Sequence, residues 1–401
     1  MTCESGSVTV YLDHAATTPL RDEAREAWLD AAARVGNASS IHRAGQDARR
    51  LLEESRERLA ATLGCDPIEV VLTSGGTESV NTALKGLWWA RADDTDAIVL
   101  PDGEHHATLD TVQWLHEHEG AQVRPVGVDA AARIPIEGFA AALPGAAVAT
   151  ALVANNEVGT INDAAGLAAA AGDADVPLHL DAVSAFGHIP VSFREWRGET
   201  KGQTGLCALS VSAHKIGGPV GVGALVVSRH ANPTALLQGG GQQRALRSGT
   251  QDVAGAAAFA VAAELALAEQ QVEAARLSAL RDRLVRGIHS SMPDAELLGD
   301  ATDRLPGNAH VLFPGALGET LLFLLDRADV CASTGSACQA GIPEPSHVVR
   351  AMGRTDAEAR QVLRFTLGRT TTEADIDAVL AALPTAVERA RASGARAAAR
   401  S

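Results

Sequence analysis

The chain has 401 residues, 46% of them hydrophobic, which is enough for a large core and for two or three domains. A formal net charge of −15 and a pI of about 5.3 argue against a nucleic-acid partner and against an anionic membrane surface, while leaving room for a basic pocket that takes one small anion. Five scattered cysteines (Cys3, Cys65, Cys207, Cys331 and Cys338) do not resemble a disulfide framework, and with no basic n-region or apolar h-region in residues 1–10 they point to a cytoplasmic protein.

Helical spacing, with charges on one face, predicts helices over 21–35 and 44–63. A β-branched run over 70–73 ends in Ser74-Gly75-Gly76-Thr77-Glu78, and a helix is expected over 79–90. A strand over 97–100 and a helix over 109–118 come next. Short apolar runs over 148–153, 178–180, 206–210 and 223–227 then read as buried strands. Strands alternating with helices predict an α/β fold with a mostly parallel sheet. The pattern changes after about residue 256. A long helix over 256–289 leads to a strand over 307–313, a helix over 318–326, a loop of small residues and a helix over 373–391, which make a smaller α+β unit. The alanine-rich stretch 253–268 is short for a membrane span and is broken by Glu264, so it reads as a packed helix.

Several junctions carry residues suited to chemistry. Lys215 lies in Ser212-Ala213-His214-Lys215-Ile216-Gly217-Gly218, between two strand-like runs. A buried amine loses its proton readily and can form a Schiff base with an aldehyde cofactor, most often pyridoxal phosphate; a packed lysine beside a tight turn is the competing account. Gly76 and Thr77 stand where a strand gives way to a helix, a place that can cradle a phosphate or be an ordinary turn. His105, after the strand 97–100, could stack on an aromatic cofactor or shuttle protons, or lie on the surface with His106. That histidine pair lacks ligand spacing, so no metal site is expected. Asn155-Asn156 could cap a helix or hydrogen-bond a ring oxygen. Asp181 ends a short strand, where it could cap a helix or keep a pyridine nitrogen protonated. The stretch 238–250, with Arg244 and Arg247, reads as a mobile loop that could cover a phosphate or form a subunit contact. Cys338 lies among small residues, which suggests an accessible thiol, whereas Cys331, at the end of an apolar run, fits a buried one. Arg364 interrupts an apolar strand and needs a partner, either a substrate carboxylate or a structural ion pair.

Taken together and in order, these segments resemble the cysteine desulfurases of the NifS/IscS type, class-V aminotransferase relatives with the fold-type I architecture. The likeness runs from Tyr11-Leu12-Asp13-His14-Ala15-Ala16-Thr17-Thr18-Pro19 through Gly36-Asn37-Ala38-Ser39-Ser40, Gly76-Thr77-Glu78-Ser79, Asn155-Asn156-Glu157-Val158-Gly159-Thr160, Ser212-Ala213-His214-Lys215, Arg247-Ser248-Gly249-Thr250 and Ser333-Thr334-Gly335-Ser336-Ala337-Cys338 to Arg364-Phe365-Thr366-Leu367-Gly368-Arg369. It implies a large cofactor-binding domain over 16–256 and a small domain over 1–15 and 257–401 that carries the cysteine loop. It also implies that Lys215 holds pyridoxal 5'-phosphate and moves the α-proton, that His105 stacks on the ring, that Asp181 faces the ring nitrogen and that Asn156 lies near the ring oxygen. Gly76, Thr77, Ser212 and His214 would take the phosphate, with Thr250 supplied by the second subunit of a homodimer. Arg364, helped by Asn37, would bind the substrate carboxylate, and Cys338 would attack the sulfur of L-cysteine. The product sulfur would pass to an acceptor protein, such as an iron–sulfur scaffold. One position departs from the family pattern: Ser184 stands where a glutamine usually contacts the ring hydroxyl, and a serine would reach it only through a water. A selenocysteine lyase, another β-lyase or aminotransferase of the same fold, and a carrier that binds cofactor but turns over poorly are the alternatives.

Overall fold

The computed structural model describes residues 9–200, 202–335 and 344–398. After the short strand β1 (Val10–Tyr11), two amphipathic helices, α1 (Asp22–Ala32) and α2 (Arg43–Leu63), precede a seven-stranded sheet. Its strands and intervening helices are β2 (Val70–Thr73), α3 (Gly76–Trp89), β3 (Ala97–Pro101), α4 (His106–Glu119), β4 (Gln122–Val126), α5 (Ile136–Ala142), β5 (Val148–Leu152), α6 (Ala164–Asp173), β6 (Pro177–Asp181), α7 (Phe193–Arg197), β7 (Gly205–Ser212) and β8 (Gly223–Val227). The strand order is β2-β8-β7-β6-β5-β3-β4, with β8 antiparallel to both neighbours and every other pairing parallel. Most of these strands are buried on both faces, which is why they read as unbroken apolar runs. The edge strand β4 is the exception; its polar Gln122-Val123-Arg124-Pro125 sequence gave no strand signal.

The 39-residue helix α8 (Val253–Ser291) joins this sheet to a second unit. Its alanine-rich first half packs against α1 and α2, and its second half inserts Leu277, Leu280, Leu284 and Ile288 into a separate apolar core. By length and composition α8 could cross a membrane, but half of its most apolar stretch is buried inside the protein. The second unit contains β9 (Glu296–Leu298), β10 (Asn308–Leu312), α9 (Gly318–Asp326), β11 (Val330–Cys331), α10 (His347–Ala351), α11 (Asp356–Ala359), β12 (Val362–Thr366) and α12 (Glu373–Ala398). Strands β12-β10-β9 form an antiparallel sheet, and β1 pairs with β11. The N-terminal segment therefore belongs with the C-terminal unit. From β1 it runs on to bridge Asp13 to Thr366, which carries residues 13–18 over the carboxyl ends of the large sheet.

Candidate active site

The carboxyl ends of β6 and β7, the turn after β2 and the N-terminal segment enclose a cavity of about 400 Å³. Such a crevice beyond the strand ends is where open α/β sheets bind ligands. Lys215, His105, Asp181, Asn156 and Ser184 line it, as do Gly76, Thr77, Ser212 and His214 at one end and Arg364, Ser333 and Gly335 at another.

Lys215 follows β7 on a single 3₁₀ turn, and its Nζ donates to the carbonyl oxygens of Ala15 and Ala16. Burial pushes its pKa down to about 8, helped by Arg364 and opposed by Asp13 and Asp181. About a tenth of the amine is therefore uncharged at pH 7, far more than for a free lysine, which favours a nucleophilic role. Asp181 ends β6, and its Oδ1 accepts from the Val183 amide at 2.9 Å. Burial raises its pKa to about 6, while that amide and Lys215 work against the rise. A buried carboxylate raised in this way favours a cationic partner. Behind it lies Glu104, 1% exposed, whose Oε1 accepts from the Leu152 amide at 2.7 Å. Burial, with Asp181 adding to it, lifts Glu104 to about 8, so it is largely neutral at pH 7.

His105 opens into the cavity and caps α4. Its Nδ1 accepts from the Ala107 amide at 3.0 Å, so the ring hydrogen resides on Nε2. Burial holds its pKa down at about 4, and Lys215 adds to the effect. At the opposite end, Gly75 adopts φ 148° and turns the chain into α3, whose first amides have no intrahelical acceptors. Ser212 Oγ is buried beside this turn with no partner among the described residues. An orphaned hydroxyl next to a helix N-terminus, in a cavity that also holds a depressed lysine and a raised aspartate, fits a phosphorylated pyridine aldehyde.

Arg364 is 5% exposed; its Nη1 donates to Asn156 O at 2.8 Å and its Nη2 to Asp13 Oδ1 at 2.9 Å. Both the ion pair and the cavity position expected of it are thus present. Ser184 lines this cavity and a smaller one behind it, where His14 and His188 lie. Asn37 and Thr250 do not line the cavity: each is exposed, and Asn37 Oδ1 accepts from the Ser39 amide. Cys338 lies outside the described residues. Cys331 proves half-buried, not buried, because it sits in the two-residue edge pairing of β1 with β11. The stretch 238–250 is also not a free loop. The Gln243 side chain pairs with both backbone groups of Leu72 on β2, and Arg247 Nε donates to Glu78 Oε1 at 2.8 Å. Sequence reasoning gave no role to Asp13, Glu104, Glu157 or His188. Asp13 lay within a quoted motif, but its pairing spans 351 positions and leaves no local signal.

The lysine, the carboxylate and the helix N-terminus that share this cavity suit a pyridoxal-phosphate enzyme on an α/β scaffold, and the class-V aminotransferase family matches residues 10–379. An IscS-like cysteine desulfurase of Mycobacterium tuberculosis is 48% identical over 388 residues, covering 95% of this chain and 97% of its own. A cysteine desulfurase IscS of Dictyoglomus turgidum is 39% identical, with 95% of each chain covered. Among solved structures, a NifS-like protein superposes with a TM-score of 0.87 at 30% identity, covering 95% of this chain and all of its own. SspA, solved in complex with cysteine, gives a TM-score of 0.77 at 28% identity over 90% of this chain and 99% of its own. The chain belongs to the cysteine desulfurases of the class-V aminotransferase family.

Proposed function

We propose that this enzyme converts L-cysteine to L-alanine, delivers the sulfur to Cys338 as a persulfide, and supplies it to a protein acceptor for iron–sulfur cluster or thio-cofactor assembly. The observation that carries the reading is the Lys215 amine, lowered to about 8, in one cavity with Asp181 and Arg364. Pyridoxal phosphate, when bound, supplies an acceptor for the negative charge that builds on the substrate α-carbon.

The residues divide this work. Lys215 would anchor the cofactor aldehyde, and its Nζ would take the substrate α-proton. Asp181 would keep the pyridine nitrogen protonated, His105 would supply a ring for stacking on the cofactor, and Asn156 and Ser184 would bind on the side of the ring oxygen. Gly76, Thr77, Ser212 and His214 hold the phosphate, completed by Thr250 of a second subunit in a homodimer. Arg364 binds the substrate carboxylate. Its two terminal nitrogens each keep one N–H beyond those given to Asn156 and Asp13. Asn37 would assist Arg364 with the substrate carboxylate, although in its own chain it does not line the cavity. The Cys338 thiolate attacks the substrate sulfur: an S–S bond forms, the C–S bond breaks with its electron pair left on the β-carbon, and alanine results once that carbon gains a proton and the α-proton returns from Lys215 Nζ. Residues 16–256 form the cofactor-binding domain, and 1–15 with 257–401 the domain that carries Cys338. A cytoplasmic setting follows from the need to keep that thiol reduced.

Alanine and sulfide are measured from L-cysteine with a reductant, for wild type and Cys338→Ala. Alanine at equal rates without the thiol would favour a lyase, and no turnover by the wild type would favour a carrier; desulfuration that requires Cys338 supports the proposal.

A further inference from the structure

The stretch 238–250 carries an unusual turn. Gln243, Arg244 and Ala245 are three successive non-glycine residues with positive φ, at 52°, 61° and 58°. A side chain in this left-handed region crowds the following carbonyl oxygen, so such residues normally occur singly and a run of them needs compensation. The compensation comes from side chains on both flanks. Gln243 Oε1 accepts from the Leu72 amide at 2.7 Å, and its Nε2 donates to the Leu72 carbonyl at 2.8 Å, which fills the open edge of β2. Arg244 Nη1 donates to the Val227 carbonyl of β8 at 3.0 Å. Just beyond the turn, Arg247 Nε donates to Glu78 Oε1 at 2.8 Å, with both side chains largely shielded from solvent. Leu72 precedes the segment 74–77 and Glu78 follows it, so one loop grips both ends of the turn from β2 into α3.

Glu78 lies in the first turn of α3, and its second oxygen, Oε2, accepts from the Ser74 amide at 2.7 Å, closing the chain across Gly75 and Gly76. A glutamate that reaches back in this way satisfies a donor ahead of the helix and fixes the angle at which the chain enters it. The orphaned Ser212 Oγ faces the same turn: a Cβ on Gly75 would lie 3.8 Å from it. A bare carboxylate beside a phosphate would repel it, and the Arg247 guanidinium removes that repulsion. Burial works to raise the Glu78 pKa, but Arg247 and Ser74 outweigh it and leave it lowered, so the carboxylate is ionised. We infer that Glu78 and Arg247 are positioning residues for the cofactor phosphate: Glu78 shapes the turn through the Ser74 amide, and Arg247 fixes and neutralises Glu78. Neither residue lines the cavity, so both act through the turn. The inference rests on the proposal that Gly76, Thr77, Ser212 and His214 hold the phosphate. It gives Arg247 a task other than covering that phosphate directly.

The test uses the full chain as wild type, Glu78→Ala, Arg247→Ala and the double variant. Each is loaded with pyridoxal phosphate or with pyridoxal, which has the aldehyde and ring but no phosphate. Dissociation constants at equilibrium with free cofactor are read from the absorption band. Each single variant should bind pyridoxal phosphate about tenfold more weakly, the worth of one charge-assisted hydrogen bond, and bind pyridoxal within about twofold of the wild type. The double variant should hold pyridoxal phosphate no more weakly than the weaker single one, because both changes break the same pair. Wild-type affinity for pyridoxal phosphate in both single variants would overturn the inference while leaving the phosphate site where it is. So would an equal loss for the two cofactors, which would mean that the pair only supports the fold. Losses that multiply in the double variant would show that the two residues act separately, and would overturn it as well. A wild type that binds pyridoxal phosphate no better than pyridoxal would remove the phosphate from this turn, and the underlying reading and this inference would fall together.

Discussion

The guanidinium of Arg364 donates to two protein oxygens and still has hydrogens to give, so the carboxylate recognition proposed for it calls on a planar fork with several donors. A lysine at this position would offer one nitrogen to Asp13, Asn156 and the substrate together. Arg364→Lys should raise the KM for L-cysteine by about 10-fold or more, in line with the loss of a charge-assisted pair, and keep the cofactor absorption band; steady-state kinetics with an unchanged KM would remove Arg364 from substrate binding. Ser184 is a different kind of position, where a short side chain leaves space connected to His14 and His188. Ser184→Gln should shift the cofactor absorption band by placing an amide directly against the ring oxygen. If both the spectrum and the rate stay the same, the position does not tune the cofactor here. Roles such as these were legible where a residue sits at a strand end, as with Asp181, or between two strands, as with Lys215. They were illegible where the partner is far along the chain: nothing near Asp13 in sequence announces Arg364, and nothing near Glu104 announces that Asp181 lies in front of it.

Among the elements, the strands buried on both faces were readable from their apolar runs alone. The two helices that border the cavity begin three residues earlier than their local pattern suggests, α3 at Gly76 and α4 at His106. The reason is physical. Gly75-Gly76 reads as a breaker, yet Gly75 at φ 148° is what permits the abrupt entry into α3, and His105 caps α4 with a ring nitrogen in place of an oxygen. Helix α6 and strand β9 escaped notice because an alanine-rich run and a three-residue strand carry little periodicity. The turn into α3 is also braced from below. A Cβ on Gly223 of β8 would lie 2.6 Å from the Gly75 Cα and 2.8 Å from Val211 O, both backbone atoms that cannot rotate away. Gly223→Ala should therefore push the turn proposed to hold the phosphate outward, destabilise the fold by about 1–3 kcal/mol and weaken cofactor binding. Titration of the apoenzyme with pyridoxal phosphate checks this, and an affinity equal to wild type would show that the turn absorbs the methyl elsewhere.

At the scale of the whole molecule, the cavity exists because the N-terminal segment, the carboxyl ends of the large sheet and β12 meet there, and this convergence buries titratable groups of both kinds. His179 and His310 are fully buried, and burial lowers both from 6.5 to about 3. The unfolded chain binds protons at these two sites at pH values where the native chain does not. Their contribution to stability is complete above about 6.5 and is lost as pH falls toward 3. Glu104 acts in the opposite direction. Its folded pKa is raised from 4.5 to about 8, chiefly by burial, so the native chain keeps a proton that the unfolded chain has released. Its contribution is complete below 4.5 and is lost as pH rises through 8. Between pH 5 and 7 the histidines make stability climb with pH, and Glu104 flattens that climb. Glu104→Gln keeps the neutral shape and removes the titration. It should match the wild type near pH 4.5 and gain on it steadily up to about pH 8.5. The gain is at most ~5 kcal/mol, because each pH step of one between the unfolded and folded pKa adds about 1.4 kcal/mol. Denaturant unfolding of the cofactor-loaded wild type and variant at pH 5, 7 and 8.5 measures the difference. A gap that stays constant across those three values would mean that Glu104 is already ionised at pH 5, and that the pocket behind Asp181 is far more polar than its burial implies.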